Sequence, residues 1–451
     1  MTSMHTAVLR NEVMLIRFTE ILTGTVMPVL LILCGVILSW RIGIFKILFN
    51  GKYFKTLKEA ASKGGESPVK AMCTALAGTL GVGNIAGVAT AITAGGAGAV
   101  LWMLIGAVVS MSVKYGEVAL AVKYRVCVKD GFRGGAMYTL RNGFSEYIGK
   151  KPAHVCGGVF ALLCIINSFI TGNLVQTNSA AAAMSNVHPA LIGGIIAICV
   201  LCVGLLGASK ISTVTYALIP FLSGVYILMS LSVIIRGFGY IPEVLADILS
   251  GAFSLKAAGG GALGFGLREA VRYGITRGIF SNEAGCGTSP TAHASADVES
   301  PHHQGCFGIF EVFADTILLC SMTALVILIA QKKYGLYGLD GVPLTLRAFR
   351  FALGPAAEWI IAVSVVLFAL ATVIAQIYYG SVCVGYFTAS RTAPKLYVIC
   401  ASAVSLIGTV IDTSSMWVAA DVTVGVMTVI NVVVLIVMRR EIAKLSPYGR
   451  G

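Results

Sequence analysis

The sequence contains few charged residues. Asp, Glu, Lys and Arg make up 12% of its 451 residues, whereas hydrophobic residues make up 57% and the mean hydropathy is +0.87. Soluble domains carry roughly a quarter charged residues, and a soluble domain could not bury this much apolar surface. The scarcity of charge therefore excludes an ordinary soluble fold and indicates an integral membrane protein.

Acidic residues are the scarcer charged type. The chain has 20 Asp and Glu against 33 Lys and Arg, a formal net charge of +13. Anionic lipid at the inner leaflet attracts such a basic excess, so membrane lipid is an expected partner and no nucleic acid is needed. The twelve cysteines mostly lie in apolar segments, where a thiol packs as a small apolar group. We favour packing over metal, redox or other cofactor chemistry even for the pair Cys199 and Cys202.

Apolar segments of about 20 residues, the length that crosses a bilayer, recur along the chain. No small-residue cleavage site follows the first of them, so we expect a retained helix and not a secretory signal. We predict an all-α integral membrane protein with eleven transmembrane helices. The predicted spans are centred on Leu31, Gly83, Ala107, Ile165, Cys199, Ile227, Thr276, Thr323, Phe368, Val404 and Val429.

Lys and Arg residues between the spans set the expected orientation. Most of them fall in loops on the side of the C-terminus, which we therefore place in the cytoplasm, with the N-terminus outside. The basic residues that fit this orientation least well are Lys332, Lys333, Arg347 and Arg350.

Two of the predicted spans carry helix-breaking and polar residues near their centres. The first, at about 72–94, contains the sequence G-T-L-G-V-G-N at 78–84, and the second, at about 263–296, contains R-G-I-F-S-N-E-A-G-C-G-T at 277–288. In lipid, unpaired backbone groups are tolerated only where protein or a wet cavity satisfies them. Broken helices inside a membrane bundle therefore indicate a binding site for a polar ligand.

The positions of these interruptions indicate an internal repeat. Once an extra N-terminal helix at 1–45 is set aside, the interrupted helices are the first and sixth of ten. Ten helices divide into two groups of five, at 71–235 and 262–438, followed by a tail at 439–451. Because five is odd, the second group enters the membrane from the opposite side, which is the geometry of an inverted repeat. We expect this symmetry to bring the two interruptions face to face near the bilayer midplane.

Three motifs resemble those of a known family. They are G-T-L-G-V-G-N-I-A-G-V-A at 78–89, G-N-L-V-Q-T-N-S at 172–179, and the stretch from Arg277 through A-H-A at 292–294 to Pro301, Gln304 and Gly305. Over residues 76–379 the chain resembles the alanine or glycine:cation symporter family, the sodium:alanine symporters. The resemblance implies a prokaryotic plasma-membrane transporter, not an enzyme, with the leucine-transporter-type fold and one added N-terminal helix. It also implies uptake of small neutral amino acids coupled to sodium.

A zwitterionic amino acid needs a partner for its carboxylate. The exposed N–H groups and positive dipole end of a half-helix supply one, and glycines let the backbone come close. Gly81, Gly83 and Asn84 are the candidates for this contact. Close helix packing is the alternative reading of the glycines, whereas a dinucleotide-binding motif is excluded because no strand precedes it.

The ammonium group of the amino acid needs oxygen acceptors. Freed carbonyls around Phe280 and Ser281, and the side-chain oxygens of Gln176 or Asn282, are the candidates. The ring of Phe280 is also a candidate wall against the substrate side chain. For Gln176, and for Asn178 two residues later, a structural hydrogen bond between helices is as reasonable as a substrate contact.

The resemblance also implies a sodium site. In related transporters a hydroxyl of the eighth repeat helix, here Thr372, joins carbonyls of the first broken helix, here near Thr79 and Val82. A lone threonine in a helix more often bonds its own backbone. Ala371 stands where the family has a hydroxyl residue, which leaves the number of sodium ligands open. Gln376 stands where the family has a tryptophan, and an amide there would enlarge and polarise a pocket, so a substrate larger or more polar than alanine is a hypothesis.

Charged residues inside predicted spans are costly and usually paired. Glu283 lies in the second interruption and is the candidate for coupling transport to the cation, and Arg277 is a candidate gate. Glu311 and Asp315, at i and i+4, are expected to share a helix face. We favour ion pairs that act as clamps or gates over a proton relay. The expected acidic partners of Arg277, or of Arg272, are Glu117, Glu311 and Asp315.

Other functions stay open from the sequence. An intramembrane hydrolase could use Ser281 with His293, but their separation across a break gives no assured geometry. A channel or a sensor on the same scaffold is a further alternative, although an inverted repeat fits alternating access better. Zinc is not expected, because His293, His302 and His303 lack a ligand spacing, and 301–303 resembles a cytoplasmic turn. We expect a monomer; the amino acid and its enantiomer, the sodium stoichiometry and proton coupling stay open.

Overall fold

The computed structural model describes residues 14, 17–49, 51–61, 67–128, 131–253, 266–411 and 413–450. Parts of the predicted domains, at 1–13, 15, 16, 129, 130, 262–265, 412 and 451, lie outside the described residues. The described chain is almost entirely helical. Its only strands, β1 (Val126–Val128) and β2 (Gly131–Arg133), form an antiparallel hairpin in which Cys127 lies opposite Phe132.

The first half contains ten helices of more than five residues among those described. They are α1 (Arg17–Ile42), α2 (Ile44–Phe49), α3 (Tyr53–Ala61), α4 (Pro68–Thr79), α5 (Ala86–Gly95), α6 (Ala99–Lys123), α7 (Lys150–Ala183), α8 (Pro189–Leu205), α9 (Ala208–Arg236) and α10 (Ile241–Ala252). Shorter helical turns lie at Val82–Asn84, Ala136–Tyr138, Thr139–Gly143, Ser145–Ile148 and Phe238–Tyr240. Segments of π-helix lie within α1 at Leu22–Val26 and within α7 at Ile170–Leu174.

The second half contains the remaining described helices. They are α11 (Leu267–Asn282), a short turn at Pro290–His293, α12 (Pro301–Tyr334), α13 (Gly341–Leu353), α14 (Pro355–Phe387), α15 (Thr392–Gly408), α16 (Thr413–Val437) and α17 (Arg439–Leu445). Within α12, the segment Phe313–Cys320 is a π-helix.

The lengths and composition of these helices agree with a multi-pass membrane protein. Among the described residues, seven helices are long and apolar enough to cross a bilayer, namely α1, α6, α7, α9, α12, α14 and the Met416–Val437 part of α16. The bent pair α4 and α5 makes an eighth span, and α8 and α15 are apolar but shorter. All eleven predicted centres fall within helical segments. The count of eleven complete crossings stays a prediction.

The first predicted interruption is present and bends the chain by 59° between α4 and α5. Leu80 takes φ −74° and ψ 66°, and Gly81 takes φ −114° and ψ −143°, both far from helical values. The turn Val82–Asn84 then leads into α5. Gly78 and Thr79, which we expected within the break, belong to the last turn of α4.

The second interruption is also present, but it begins later than predicted. The helix α11 continues through Asn282, so residues 277–282 of the run at 277–288 are helical. The chain leaves the helix where the backbone turns left-handed, at Glu283 (φ 49°), Gly285 (φ 86°) and Gly287 (φ 77°). A right-handed helix cannot contain these angles. Nothing between 277 and 282 requires a positive φ, which explains why this part stays helical.

The first interruption packs against the end of α11, directly before the second interruption. A Cβ built on Gly83 would lie 3.2 Å from the Cα of Ser281, so the two backbones are in close contact. One turn earlier in α11, Gly278 lies against Met103 of α6, and a Cβ there would be 3.1 Å from the Met103 side chain. Small residues at these contacts let the helices approach closely.

Candidate functional site

The first interruption is contacted from two sides by polar side chains. A Cβ on Gly81 would lie 2.6 Å from both the Oε1 of Gln176 on α7 and the Oγ1 of Thr372 on α14. The Oε1 of Gln176 accepts a hydrogen bond from the backbone N–H of Val82 at 3.2 Å. Thr372 donates to the carbonyl of Phe368 at 3.0 Å, which is the ordinary bond of a threonine in a helix. A Cβ at position 81 would therefore require these two side chains to move.

The predicted sodium ligands lie around the same break. The carbonyl of Thr79 accepts from the N–H of Gly81 at 2.8 Å, and its hydroxyl donates to the carbonyl of Leu76 at 3.3 Å. Ala371 is buried beside Thr372 and offers no side-chain oxygen. The carbonyl of Thr79 and the hydroxyl of Thr372 therefore both lie beside Gly81.

A second polar cluster lies between the two interruptions and centres on Asp315. Its Oδ1 accepts from the Nδ2 of Asn84 at 2.8 Å, and its Oδ2 accepts from the hydroxyls of Ser281 at 2.9 Å and Thr316 at 2.7 Å. All four side chains are buried. Three elements thus meet at one carboxylate: the first break, the end of α11 and α12.

A segment of π-helix in α12 carries Asp315. Glu311 and Asp315, expected to share a helix face as i and i+4 residues, have different partners. Glu311 contacts Lys114 and His293, whereas Asp315 contacts Asn84 of the first interruption and Ser281 at the end of α11. Segments of π-helix are rare and frequently occur at functional sites.

Glu283 follows α11 directly, and its carboxylate connects the second interruption to α14. It is the only residue other than glycine with positive φ among those described. Its two carboxylate oxygens accept from the hydroxyl of Thr288 at 2.5 Å and from the Nε2 of Gln376 at 2.9 Å. The Oε1 of Gln376 is buried without a partner, and a Cβ on Gly172 would lie 2.7 Å from the Cγ of Gln376. Gln376 therefore connects α14 to the second interruption and packs on α7.

Two of the predicted substrate-binding amides have structural partners. Asn282 donates to the hydroxyl of Thr316 at 3.1 Å and accepts from the N–H of Ala284 at 3.0 Å, so it caps the end of α11. Asn178 lies away from the interruptions, where it donates to the carbonyls of Gly408 and Ile411 at 3.3 and 3.2 Å. For Asn178 the structure supports the interhelical bond and not the substrate contact.

A buried chain of polar residues connects α6, α12 and the start of α4. Lys114 pairs with Glu311 at 3.3 Å, and the other oxygen of Glu311 contacts the Nε2 of His293 at 2.9 Å. The Nδ1 of His293 contacts the Nε2 of Gln304 at 2.7 Å, and Gln304 also donates to the carbonyl of Pro68 at 3.4 Å. These hydrogen bonds connect the start of α4, the first part of the broken helix, to α6 and α12.

Arg277 lies in an aromatic and acidic cluster between α11 and α16. It pairs with Asp421 at 3.9 Å and lies 5.8 Å from the ring centroid of Phe280 and 5.7 Å from that of Trp417. The two rings are 5.6 Å apart. Phe280 therefore packs against Trp417, one helical turn from Arg277, at the side of the site that α11 enters.

The predicted partners of the two arginines are wrong. Arg277 pairs with Asp421, and Arg272 pairs with Glu20 of α1 at 3.9 Å. Glu117, one of the expected partners, instead binds the second interruption. Its carboxylate accepts from the N–H groups of Gly285 at 3.0 Å and Gly287 at 2.9 Å, and from Asn431. These bonds replace the helical bonds that the unwound backbone has lost.

The buried carboxylates outnumber the buried cations in the described part of the chain. Glu117, Glu283, Glu311 and Asp315 are all buried, and Lys114 is the one buried lysine among the described residues. Lys114 pairs with Glu311. Within the described residues no cation lies within 4.0 Å of Asp315, whose side-chain partners are all neutral. A bound cation or a proton would offset such a charge.

A small apolar pocket borders the first interruption on the side of α9. Tyr226 of α9 lines it, and its hydroxyl is bonded to Thr323 at 2.7 Å. The pocket is lined by Leu80, Gly81, Asn84, Ile85, Tyr226, Leu319 and Phe368. Phe280 and Gln376 do not line this pocket.

Sequence reasoning named Asp315 only as a possible partner of an arginine, and it missed Asn431 and Gln304 as supports of the site. It also described 301–303 as a turn, whereas these residues are the first turn of α12, capped by Ser300. Proline followed by two polar residues after a serine is a helix-start signal, so that signal was present in the sequence.

Apolar spans around two facing broken helices, with polar groups gathered at the breaks, define a secondary membrane transporter and not an enzyme. The comparisons with known proteins give the family. The sodium:alanine symporter family matches residues 8–448, and the chain belongs to that family. It is thus a cation-coupled amino-acid symporter.

Several curated relatives cover nearly the whole chain. The sodium/alanine symporter AgcS of Methanococcus maripaludis is 37% identical over 427 residues, covering 92% of each chain. An uncharacterized transporter of Haemophilus influenzae is 35% identical and covers 96% of this chain and 94% of its own. The probable sodium/glutamine symporter GlnT of Bacillus subtilis is 32% identical and covers 96% and 89%.

Solved structures with the same fold include two transporters of low sequence identity. A Na⁺-coupled sialic acid symporter gives a TM-score of 0.58 at 12% identity and covers 93% of this chain and 87% of its own. A manganese transporter of Eremococcus coleocola gives 0.56 at 14% identity and covers 85% and 81%. These likenesses support the leucine-transporter-type fold.

Proposed function

We propose that the protein imports a small neutral amino acid of the alanine and glycine class together with sodium, by alternating access across the plasma membrane. The observation that carries the proposal is Asp315, a buried carboxylate at the meeting of the two interruptions whose side-chain donors are all neutral. A buried carboxylate without a counter-charge is costly. Sodium is a hard cation that oxygens bind well, and this cluster supplies carboxylate and hydroxyl oxygens.

A second sodium position is supported at the first interruption. Thr372 and the carbonyl of Thr79 lie beside Gly81, together with the backbone of Val82. The absence of a hydroxyl at Ala371 leaves one side-chain ligand there. Two positions that share the first broken helix would let each ion stabilise the same unwound backbone.

The carboxylate of the amino acid is placed at the start of α5. The N–H groups of Gly83 and Asn84 precede this helix, whose N-terminal end favours a negative charge. A small substrate side chain fits the apolar pocket beside Gly81. The ammonium group is placed toward Ser281 and the carbonyl of Phe280, which face Gly83.

Two closures on either side of the site fit alternating access. Arg277 with Asp421, and Phe280 with Trp417, close the side that α11 enters. Glu283 with Gln376 closes the side that α11 leaves. We place the first closure outside and the second toward the cytoplasm, with the N-terminus outside. Breaking the bond between Glu283 and Gln376 would couple ion release to opening.

Uptake into proteoliposomes tests the proposal. Under an imposed sodium gradient the protein should concentrate labelled alanine, and Asp315→Asn should lose this concentration. Glu358→Gln serves as the control, since Glu358 pairs with Arg350 near the surface. If labelled alanine only equilibrates, the protein is a channel. If uptake is the same with choline in place of sodium, sodium coupling is wrong.

The substrate preference has its own test. The unpartnered Oε1 of Gln376 supports the hypothesis of a larger or more polar substrate, whereas the small apolar pocket supports alanine. Gln376→Trp should shift preference toward alanine over serine and glutamine. Equal preference in both proteins would rule out a role for Gln376 in selectivity.

A further inference from the structure

Asp315 shares its cluster with a thiol. Cys320 lies five residues later, at the end of the π-helix Phe313–Cys320. A π-helix bonds residue i to i+5, so it brings the Cys320 side chain onto the face of Asp315. The Sγ lies 3.3 Å from the hydroxyl of Ser281, which itself donates to Asp315 at 2.9 Å. Sulfur and carboxylate are therefore bridged by one hydroxyl.

A buried oxygen without a partner lies on the same cluster. The Nδ2 of Asn84 is 2.8 Å from Asp315 and 3.4 Å from the Sγ of Cys320, while the Oδ1 of the same amide has no hydrogen-bond partner. Turning the amide by 180° exchanges its nitrogen and oxygen and directs the free oxygen at the carboxylate and the sulfur. A cation at this point would favour that orientation, because it needs oxygen and not N–H.

We propose that Asp315 and Cys320 form a binding site for thiophilic cations such as Cd²⁺, with Asn84 and Ser281 as neutral oxygen donors. Sulfur ligands select soft metals, which oxygen-only sites bind poorly. On binding, the sulfur lone pair forms the bond to Cd²⁺, the S–H proton leaves to solvent, and no electron is transferred. Within the described residues no three His, Cys, Asp or Glu side chains converge, so the amide and the hydroxyl complete the set.

This inference rests on the proposed function only for its consequence: Cd²⁺ should compete with sodium. Both cations would use the Asp315 carboxylate, so one excludes the other. Cys320 is buried, and Cd²⁺ would reach it by the path that sodium uses. Cys73, buried in α4 outside the cluster, offers a matched control thiol.

Cadmium binding can be measured on the purified protein in a sodium-free choline buffer. Cd²⁺ bound to a thiolate absorbs in the ultraviolet, and exposed thiols such as Cys127 and Cys400 add to the signal of every variant. In Cys320→Ser and Cys320→Ala, we expect the ultraviolet absorbance at saturating Cd²⁺ to fall by the amount that one Cd²⁺–thiolate bond contributes. In Cys73→Ser, the Asp315 site should still bind Cd²⁺. Adding sodium should raise the Cd²⁺ concentration for half-saturation of that site at least tenfold. An unchanged signal in both Cys320 variants overturns the site, and a signal that sodium does not shift overturns the shared carboxylate.

Uptake assays separate this inference from the proposed function. Alanine uptake under a sodium gradient is measured for each protein relative to its own uptake without cadmium, and the Cd²⁺ concentration that halves it should be at least tenfold lower for the wild type than for Cys320→Ser. If neither protein transports alanine, the proposed function is wrong, while the absorbance still tests the site. If Cd²⁺ inhibits both equally, Cys320 is not the inhibitory ligand and the inference is wrong.

Discussion

Replacing Glu117 with glutamine tests how the second interruption is held open. The carboxylate accepts from the N–H groups of Gly285 and Gly287, and from Asn431. Glutamine keeps one acceptor oxygen, but its amide nitrogen then faces a backbone N–H that has lost its partner. Hydrogen bonds to charged groups contribute about 1.5–3 kcal/mol and an orphaned buried donor costs about 1–3 kcal/mol. We therefore expect the free energy of unfolding to fall by roughly 2–4 kcal/mol.

Unfolding in mixed detergent micelles, followed by tryptophan fluorescence, measures this change. Alanine affinity should fall as well, because the unwound backbone would lose its fixed position. Glu358→Gln, at a surface ion pair, should change the free energy of unfolding by less than about 1 kcal/mol. If Glu117→Gln is as stable as Glu358→Gln and binds alanine normally, then Glu117 does not hold the interruption.

Three further substitutions separate binding from structure. Gly81→Ala places a Cβ 2.6 Å from the side chains of Gln176 and Thr372. It should lower the free energy of unfolding by about 1–3 kcal/mol and remove most sodium-coupled uptake. Gly87→Ala, with open space around its Cβ, should change neither, and equal uptake by the two variants would contradict this. Lys114→Met removes the lysine that pairs with Glu311 and should lower the free energy of unfolding by about 3–5 kcal/mol. Lys55→Met, at the exposed pair with Glu59, should lower it by at most about 1 kcal/mol. Chemical denaturation measures both changes, and similar values would refute the reasoning. Asn178→Ala should lower the free energy of unfolding by about 1 kcal/mol and leave the preference among amino acids unchanged. An altered preference in competition uptake would show that Asn178 contacts the substrate.

The sequence was informative where local chemistry fixes the backbone. Glycines and polar residues at 78–84 and 277–288 weaken a helix, so both interruptions could be predicted, although Gly78 and residues 277–282 stay helical. Gln176 and Thr372 could be placed near the first break because amides and hydroxyls buried in apolar helices need polar partners, and the structure puts both against Gly81.

The contacts of Asp315 could not be predicted from helical periodicity. Periodicity places Asp315 on the side of the helix that carries Glu311, but it does not show that Phe313–Cys320 is a π-helix. No residue between 313 and 320 demands this geometry; the contacts of Asp315 with Asn84 and Ser281 are tertiary. Helix register at such a point depends on the packed site.

The partners of the charged residues were also beyond the sequence. Arg277 pairs with Asp421 on α16, far along the chain, and Glu117 contacts backbone N–H groups and not an arginine. Which acid faces which base depends on how the helices are arranged around the site. Composition can show that these charges need partners, but it cannot choose the partners.

The most direct measurement is the affinity of the purified protein for alanine as a function of sodium concentration, by calorimetry in choline-balanced buffer. If one unwound backbone binds both ligands, sodium should tighten alanine binding, and alanine should tighten sodium binding by the same factor. Asp315→Asn should weaken this dependence, while Glu358→Gln should keep it. An alanine affinity that is the same with and without sodium would contradict a site built from the two facing interruptions.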